Sequence, residues 1–251
     1  MKRHHKTILI VALSVAVILV VYFTVLYRLS HAVSGKLEEK ETLAVSYINK
    51  AFDLDANNDL WKDIAPVRIH LLPQSARTPH GTTERDILVR MAHNNEEIAV
   101  LIEFSDESED RTGPANPDAC AVLFAPGDAP ATAQMMGFGS IANVWQWLAD
   151  RDARKYQAGD ASVNVVRELF ARGPGTQKEL PGQNVEGRGE YGQGRWKVVF
   201  KRKLKSSQEN ELELKPGVDM NIAFAVWNGI KMESFSRKSI SILRHLTLEE
   251  K

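Results

Sequence analysis

A run of 21 residues without one charged side chain, Thr7 to Tyr27, constrains this chain more than any other feature. At 1.5 Å rise per residue it makes a helix of roughly 30 Å, the thickness of a bilayer's hydrocarbon core. Helices in soluble cores rarely go so far without a polar face. The run therefore predicts a transmembrane helix over residues 7–27. Lys2, Arg3 and Lys6 precede it and only Arg28 follows closely, which places residues 1–6 in the cytoplasm. An exit segment over 28–59 and a domain over 60–251 then lie in the periplasm or an equivalent extracytoplasmic compartment. A cleaved signal peptide competes with this reading, since Ser30-His31-Ala32 resembles a small-x-small cleavage site. The apolar run exceeds the usual signal core of roughly 7–15 residues, which favours a retained helix.

The chain carries 32 basic and 32 acidic residues, so no global field points to nucleic acid. Cys120 is the only cysteine. An intrachain disulfide, a cysteine-ligated iron–sulfur cluster and a C-x-x-C-H haem attachment are all excluded. Any prosthetic group must be held by other ligands.

Beyond the anchor, Lys36 to Phe52 fits both helical spacing (Ala44, Tyr47, Ile48, Ala51) and strand alternation (Leu43, Val45, Tyr47), and periodicity leaves both open. Asp53 to Asp59 reads as a polar turn. From Val67 the pattern becomes short β-branched runs: Val67–Leu72, Asp86–His93, Glu97–Phe104, Asp118–Phe124, Asn143–Leu148, Arg195–Arg202, Asp219–Trp227 and Ser239–Leu243. Asn94-Asn95-Glu96 reads as a hairpin turn. Within Asn143–Leu148, Val144, Gln146 and Leu148 share one face, and Trp145 and Trp147 the other. These runs predict an all-β domain, an antiparallel β-sandwich, behind the helix. Two long loops interrupt it. Ser105–Pro117 is acidic but lacks a regular calcium-ligand spacing, which favours a solvated loop. Arg172–Gly194 holds seven glycines, suited to a loop that folds back or to backbone approaching a bulky group.

Side-chain catalysis finds no support. Gly-x-Ser-x-Gly is absent, and the seven histidines show no His-x-x-x-His or Glu-x-x-His clustering. Met135-Met136-Gly137 reads as packing by itself, and one lysine near the last strands reads as surface charge.

The order of motifs nevertheless resembles a known family. Leu60-Trp61-Lys62 leads to Val67–Leu71, then come Ala92–Ala99, Phe104–Asp106, Asp118–Phe124, Met136-Gly137, Val144–Trp147, Gly194–Phe200, Ile222–Gly229 and Arg237–Ser241. In this order they resemble the haem-binding gamma subunits of type II molybdoenzymes of the dimethyl sulfoxide reductase family. The resemblance implies a sandwich holding one non-covalent haem b, with Met136 and Lys238 as axial iron ligands. Met135 and Lys231 are the nearest competing positions. Trp145, Trp147 and Trp227 are the expected cofactor walls. It further implies an electron-transfer subunit that turns over no substrate, partnered by iron–sulfur and molybdenum subunits, a membrane and a redox carrier. Nitrite oxidoreductase is the complex named first, on overall likeness. Two other readings stand beside it: an anchoring subunit with the same sandwich and no functional haem, and a carbohydrate-binding sandwich with the three tryptophans as exposed platforms. The family's members are commonly soluble exported proteins, so the helix at 7–27 marks a departure.

Overall fold

The computed structural model describes residues 42–74, 85–113, 115–129, 141–173 and 175–250. The predicted helix at 7–27 lies outside these residues. Among the described residues no helix is long and apolar enough to cross a membrane. The compact unit runs from Glu41 to Lys251.

This unit is mostly β. Thirteen strands are joined in one hydrogen-bonded network among the described residues. They are β1 (Thr42–Tyr47), β2 (Val67–Pro73), β3 (Arg85–His93), β4 (Glu97–Ser105), β5 (Ala119–Pro126), β6 (Ala142–Leu148) and β7 (Val166–Ala171), then β8 (Lys178–Glu179), β9 (Glu186–Gly192), β10 (Arg195–Lys203), β11 (Met220–Trp227), β12 (Ser239–Ile240) and β13 (Arg244–Leu248). The main path runs β8-β7-β6-β5-β11-β12-β2-β3-β4-β10-β9. Its two halves face each other across one core, in which Trp145 and Phe124 of one half meet Phe200 and Val198 of the other. The architecture is sandwich-like, and β12–β2 pairing joins the halves along one edge. The pairs along this path are antiparallel, whereas β1 runs parallel to both β13 and β3.

All eight strands expected from apolar runs form, with their ends shifted by a few residues; the run 239–243 is split, with β12 at Ser239–Ile240 and β13 beginning at Arg244. Asn94 closes the β3–β4 hairpin: its Oδ1 accepts from the N–H groups of Glu96 (3.0 Å) and Glu97 (2.7 Å). Strand alternation decides the segment before residue 50, since Leu43 and Val45 are buried in β1 between exposed neighbours. The turn at 53–59 is built by Asx contacts, among them Asp55 N–H to Asp53 Oδ1 (3.0 Å) and Leu60 N–H to Asn58 Oδ1 (2.9 Å).

The glycine-rich stretch departs from its expectation as a surface loop, because β9 forms inside it. Gly187 and Gly189 face Trp147, and a Cβ on Gly189 would come within 2.2 Å of the Trp147 ring. Glycine here makes room for an indole, which removes the apolar alternation that would reveal a strand. Trp147 is fixed further by Asp152, the last residue of the helical turn α1 (Ala149–Asp152). The indole N–H donates to Asp152 Oδ2 (3.0 Å), as does the Gly189 N–H (2.7 Å), while Arg111 pairs with Oδ1 at 2.6 Å.

Candidate haem site

Strands β5, β6, β7 and β11 present two unlike faces. The inner face carries Trp145, Trp147, Phe124 and Phe224 into the core. The outer face carries Ala119, Ala121, Leu123 and Ala125 of β5 with Ala223, Ala225 and Trp227 of β11, flanked by Val144 and Leu169. Register builds these rows directly: Leu123 pairs with Val144 and Ala223, and Val144 pairs with Leu169. Period-2 alternation sends every other residue to this side, and five of those positions on β5 and β11 are alanine. Small side chains on a sheet leave space above it.

A cavity of about 390 Å³ lies against this face where Ala119 ends the row, lined also by Val144, Leu148, Leu169, Trp227 and Lys238 among others. It falls within the size range of ligand and cofactor sites. Lys238 precedes Ile240 by two residues, so both share the outer face, and it stands beside the last residue of β11. Its Nζ lies 4.8 Å from the Trp227 ring centroid. The residue is only 3% exposed. Among the described residues no carboxylate or carbonyl partners its amine. Burial alone pushes its pKa down to about 8. Trp227 is held in turn by its indole N–H, which donates to the Phe235 carbonyl at 3.1 Å. At the rim, Arg167 donates to Glu179 (2.7 Å) and to Gln146 (3.3 Å).

The structure thus brings together two of the five expected site residues, Lys238 and Trp227. Trp145 and Trp147, expected as walls, point into the opposite side of the sheet and are wholly buried there. Alternation across β6 puts them there: Val144 and Leu148 take the cavity side. Met136 and its neighbour Met135 lie outside the described residues, on the connection from β5 to β6. Lys231, the competing lysine, is not among the residues lining the cavity. What the sequence reading lacked was the alanine row, whose signal is alternate small residues in Ala119–Ala125 and Ala223–Ala225.

The residues present fit a large flat apolar group with a metal centre. Ala119, Val144, Leu148 and Leu169 give the cavity an apolar side, one wall is an indole, and a buried amine without a partner points at the space. Such an amine is costly unless it has a ligand to meet.

This is a mostly β, sandwich-like domain with a lysine-bearing cavity on the outside of one sheet. The chain belongs to the ethylbenzene dehydrogenase family, which it matches over residues 58–181 and 177–239. The resemblance read from its motifs is thereby borne out at the level of family. It is similar to a protein of Haloferax mediterranei assigned as a respiratory nitrate reductase haem subunit, 30% identical over 195 residues, covering 75% of this chain and 66% of that protein. It is also similar to the chlorate reductase subunit gamma of Ideonella dechloratans, 29% identical over 126 residues, covering 50% of this chain and 47% of that protein. The chain therefore spans about half to two thirds of the length of these relatives.

Solved structures of similar fold include a family 9 carbohydrate binding module of Caldicellulosiruptor kristjanssonii in complex with glucose. The TM-score is 0.51 at 11% identity, over 84% of this chain and 97% of that one. A protein of Bacteroides uniformis assigned as carbohydrate-binding gives 0.52 at 10% identity, over 84% and 100%. At these identities the likeness is one of fold alone. Exposed aromatic platforms are missing at the positions considered for sugar: Trp145, Trp147 and Trp227 are 0%, 0% and 6% exposed.

Proposed function

We propose that this chain is a membrane-anchored electron-transfer subunit of a molybdoenzyme complex, carrying one non-covalent haem b between Lys238 and Met136. The observation that carries the reading is Lys238, a buried amine with no partner, aimed into a cofactor-sized cavity. Family membership and relatives named as haem and gamma subunits support it.

A haem held by Lys238 and Met136 would supply one-electron exchange and would leave no open position for substrate. The chain's own residues do the rest. Lysine ligates only as the neutral amine, and burial favours that form. Trp227 fixes the amine laterally, and the small side chain of Ala119 keeps that part of the cavity open. Arg167 and Gln146 at the rim are suited to receive the acidic edge of such a ring. A thioether from Met136 favours ferrous iron and raises the potential.

The partners in this reading are iron–sulfur and molybdenum subunits on one side and a membrane or soluble redox carrier on the other. Nitrite oxidoreductase is the complex we name first. The helix at 7–27 keeps the domain in the plane of the membrane, on its extracytoplasmic side, and the β-sandwich carries the haem.

The test is the reduced-minus-oxidised visible spectrum of the purified chain. A low-spin b-type α-band is expected, turning high-spin or vanishing in Lys238→Ala and in Met136→Ala. Absence of the band sinks the redox reading in favour of an anchoring subunit without haem. An unchanged spectrum in either variant removes that residue as a ligand.

A further inference from the structure

Lys238 is not the only buried ionisable side chain that lines the cavity. Glu233 lines it too, together with Ser234 and Phe235, and is only 2% exposed. Its Oε2 accepts the N–H of Asn228 at 2.8 Å. Its Oε1 is buried without a hydrogen-bond partner among the described residues. The loop 228–238 is built to hold this side chain in place. Met232 and Phe235 both take left-handed backbone angles, φ 55° and 53°, which cost free energy for residues with large side chains. They persist because the loop is pinned. Met232 N–H donates to the Gly229 carbonyl (2.8 Å), Glu233 N–H to the Asn228 carbonyl (3.2 Å), and Asn116 Nδ2 to the Glu233 carbonyl (3.2 Å). Glu233 is thereby turned inward while Met232 and Phe235 stay at the surface.

The charges around Glu233 come from several elements. Arg85, which opens β3, and Lys231, in the same loop, favour its ionised form, and Asp118 opposes it. Asp118 and Asp106 bound the acidic loop after β4, which was expected to be solvated. Both carboxylates instead turn inward, to meet the Gly229 N–H (2.8 Å) and the Asn228 amide (3.0 Å). Asp110 lies beside them, its N–H donating to Asp118 Oδ2 at 2.8 Å. At the cavity rim Arg167 is tied to Glu179. Lys238 lines the same space, but burial alone sets its pKa, so its amine does not neutralise Glu233. Burial, with Asp118 acting in the same direction, outweighs the Asn228 N–H, Arg85 and Lys231 and leaves the Glu233 carboxyl above the usual carboxylate range. A change of charge in the cavity then decides whether this group holds a proton.

We propose that Glu233 is the proton acceptor for one-electron exchange in this cavity, an inference that rests on the haem proposed for the same space. When an electron arrives from the redox partner, ferric iron becomes ferrous and the cavity gains one negative charge. One proton from solvent then converts the Glu233 carboxylate to the carboxyl. On oxidation the electron leaves to the carrier and the proton returns to solvent. Charge in the cavity is conserved across the cycle, which matters most where the walls are apolar and screening is weak. Oε1 is the oxygen that takes the proton, because Oε2 already accepts the Asn228 N–H. Lys238 does not serve in this role, since as a ligand it stays neutral in both states.

The experiment is a spectroelectrochemical titration of the full chain in detergent, giving the midpoint potential between about pH 5 and 9. Reduction raises the pKa of the carboxyl. The parent's potential should therefore fall with rising pH between the oxidised-state and reduced-state pKa values, and level off below them. The slope is at most about 59 mV per pH unit, the equivalent of a tenfold change for one electron. Glu233→Gln keeps an acceptor for the Asn228 N–H but cannot titrate. Its potential should be flat across that window, matching the parent's at low pH and exceeding it at high pH. Asp106→Asn removes the neighbouring carboxyl that burial and Asp118 raise to about 7, and should keep the parent's slope. Glu233→Asp should keep a slope but move the pH at which it begins, and it carries the test by itself if the glutamine variant does not fold. A parent potential independent of pH overturns the proposal while leaving the haem in place. So does a slope that survives Glu233→Gln, vanishes in Asp106→Asn, or begins at an unmoved pH in Glu233→Asp. A parent without a haem band overturns the haem and its proton acceptor together.

Discussion

The inner and outer faces of β5, β6 and β11 come from the same strands, yet they solve opposite problems. The inner face is filled: Trp145 stacks against Phe124 with ring centroids 4.5 Å apart, and Trp147 meets Trp196 edge-on at 4.9 Å. Two of its indoles are matched, since Trp147 and Trp196 donate to Asp152 and Asp118, while the Trp145 Nε1 is buried without a hydrogen-bond partner. The outer face is kept small with alanines and holds an amine that is left unmatched. Interiors packed to crystal density leave no room for guests. One alternation therefore builds a core on one side and a receptacle on the other.

The contrast breaks most visibly at Trp147. Trp147→Ala opens a cavity beside two glycines that cannot fill it and removes one of the three donors that hold Asp152. A loss of about 3–5 kcal/mol is expected in chemical denaturation. If the inner face were instead a cofactor wall, stability would change little and the haem spectrum would shift first.

On the outer face the effects should reverse. Ala119→Leu adds bulk into the cavity that this alanine lines. We expect a stability change of about 1 kcal/mol but loss of the haem band. Retention of the band with a stability loss as large as that of Trp147→Ala would erase the distinction between the faces.

Much of this contrast could be read from the sequence. Val144, Gln146 and Leu148 separate from Trp145 and Trp147 by alternation alone, and the long β-branched runs give β3, β4, β10 and β11 almost to their ends. What escaped notice depends on distant partners. The strand β9 is hidden because Gly189 answers to Trp147, 42 positions away, and Gly187 to Val166, 21 positions away. The walls of the cavity were misjudged at Trp145 and Trp147 because large aromatics are as much at home in a core as beside a cofactor. Asp106 and Asp118 are turned inward because Asn228 and Gly229, far off in sequence, donate to them.

A finer comparison sets two buried nitrogens side by side. Lys238 Nζ opens onto the cavity, so Lys238→Leu should remove haem and yet stabilise the haem-free chain by roughly 1 kcal/mol, because a desolvated amine is exchanged for an apolar side chain of similar length. Equilibrium unfolding of the haem-free proteins measures this. A destabilised variant would mean that the amine has an internal partner after all.

His93 is the sealed counterpart. It is wholly buried where β1 joins β3, and its ring sits edge-on to Tyr47 at 5.7 Å. Its Nε2 lies 2.9 Å from the Glu249 carbonyl; a carbonyl only accepts, so Nε2 carries the hydrogen and Nδ1 is left bare. That Nδ1 is buried without a partner, and protonating it would place a charge in the core. Burial accordingly holds the pKa of His93 below its ordinary 6.5. The unfolded chain then binds the proton more readily than the folded one, so this group leaves stability level above pH 6.5 and erodes it as pH falls below that value. His93→Gln keeps a donor for Glu249 but cannot titrate. Its stability, measured by denaturation at pH 7.5 and pH 5.5, should fall less on acidification than the parent's, with the haem band untouched. Equal acid losses in both proteins would show that His93 is not the group responsible. A changed haem band would place this nitrogen, like that of Lys238, in contact with the cavity.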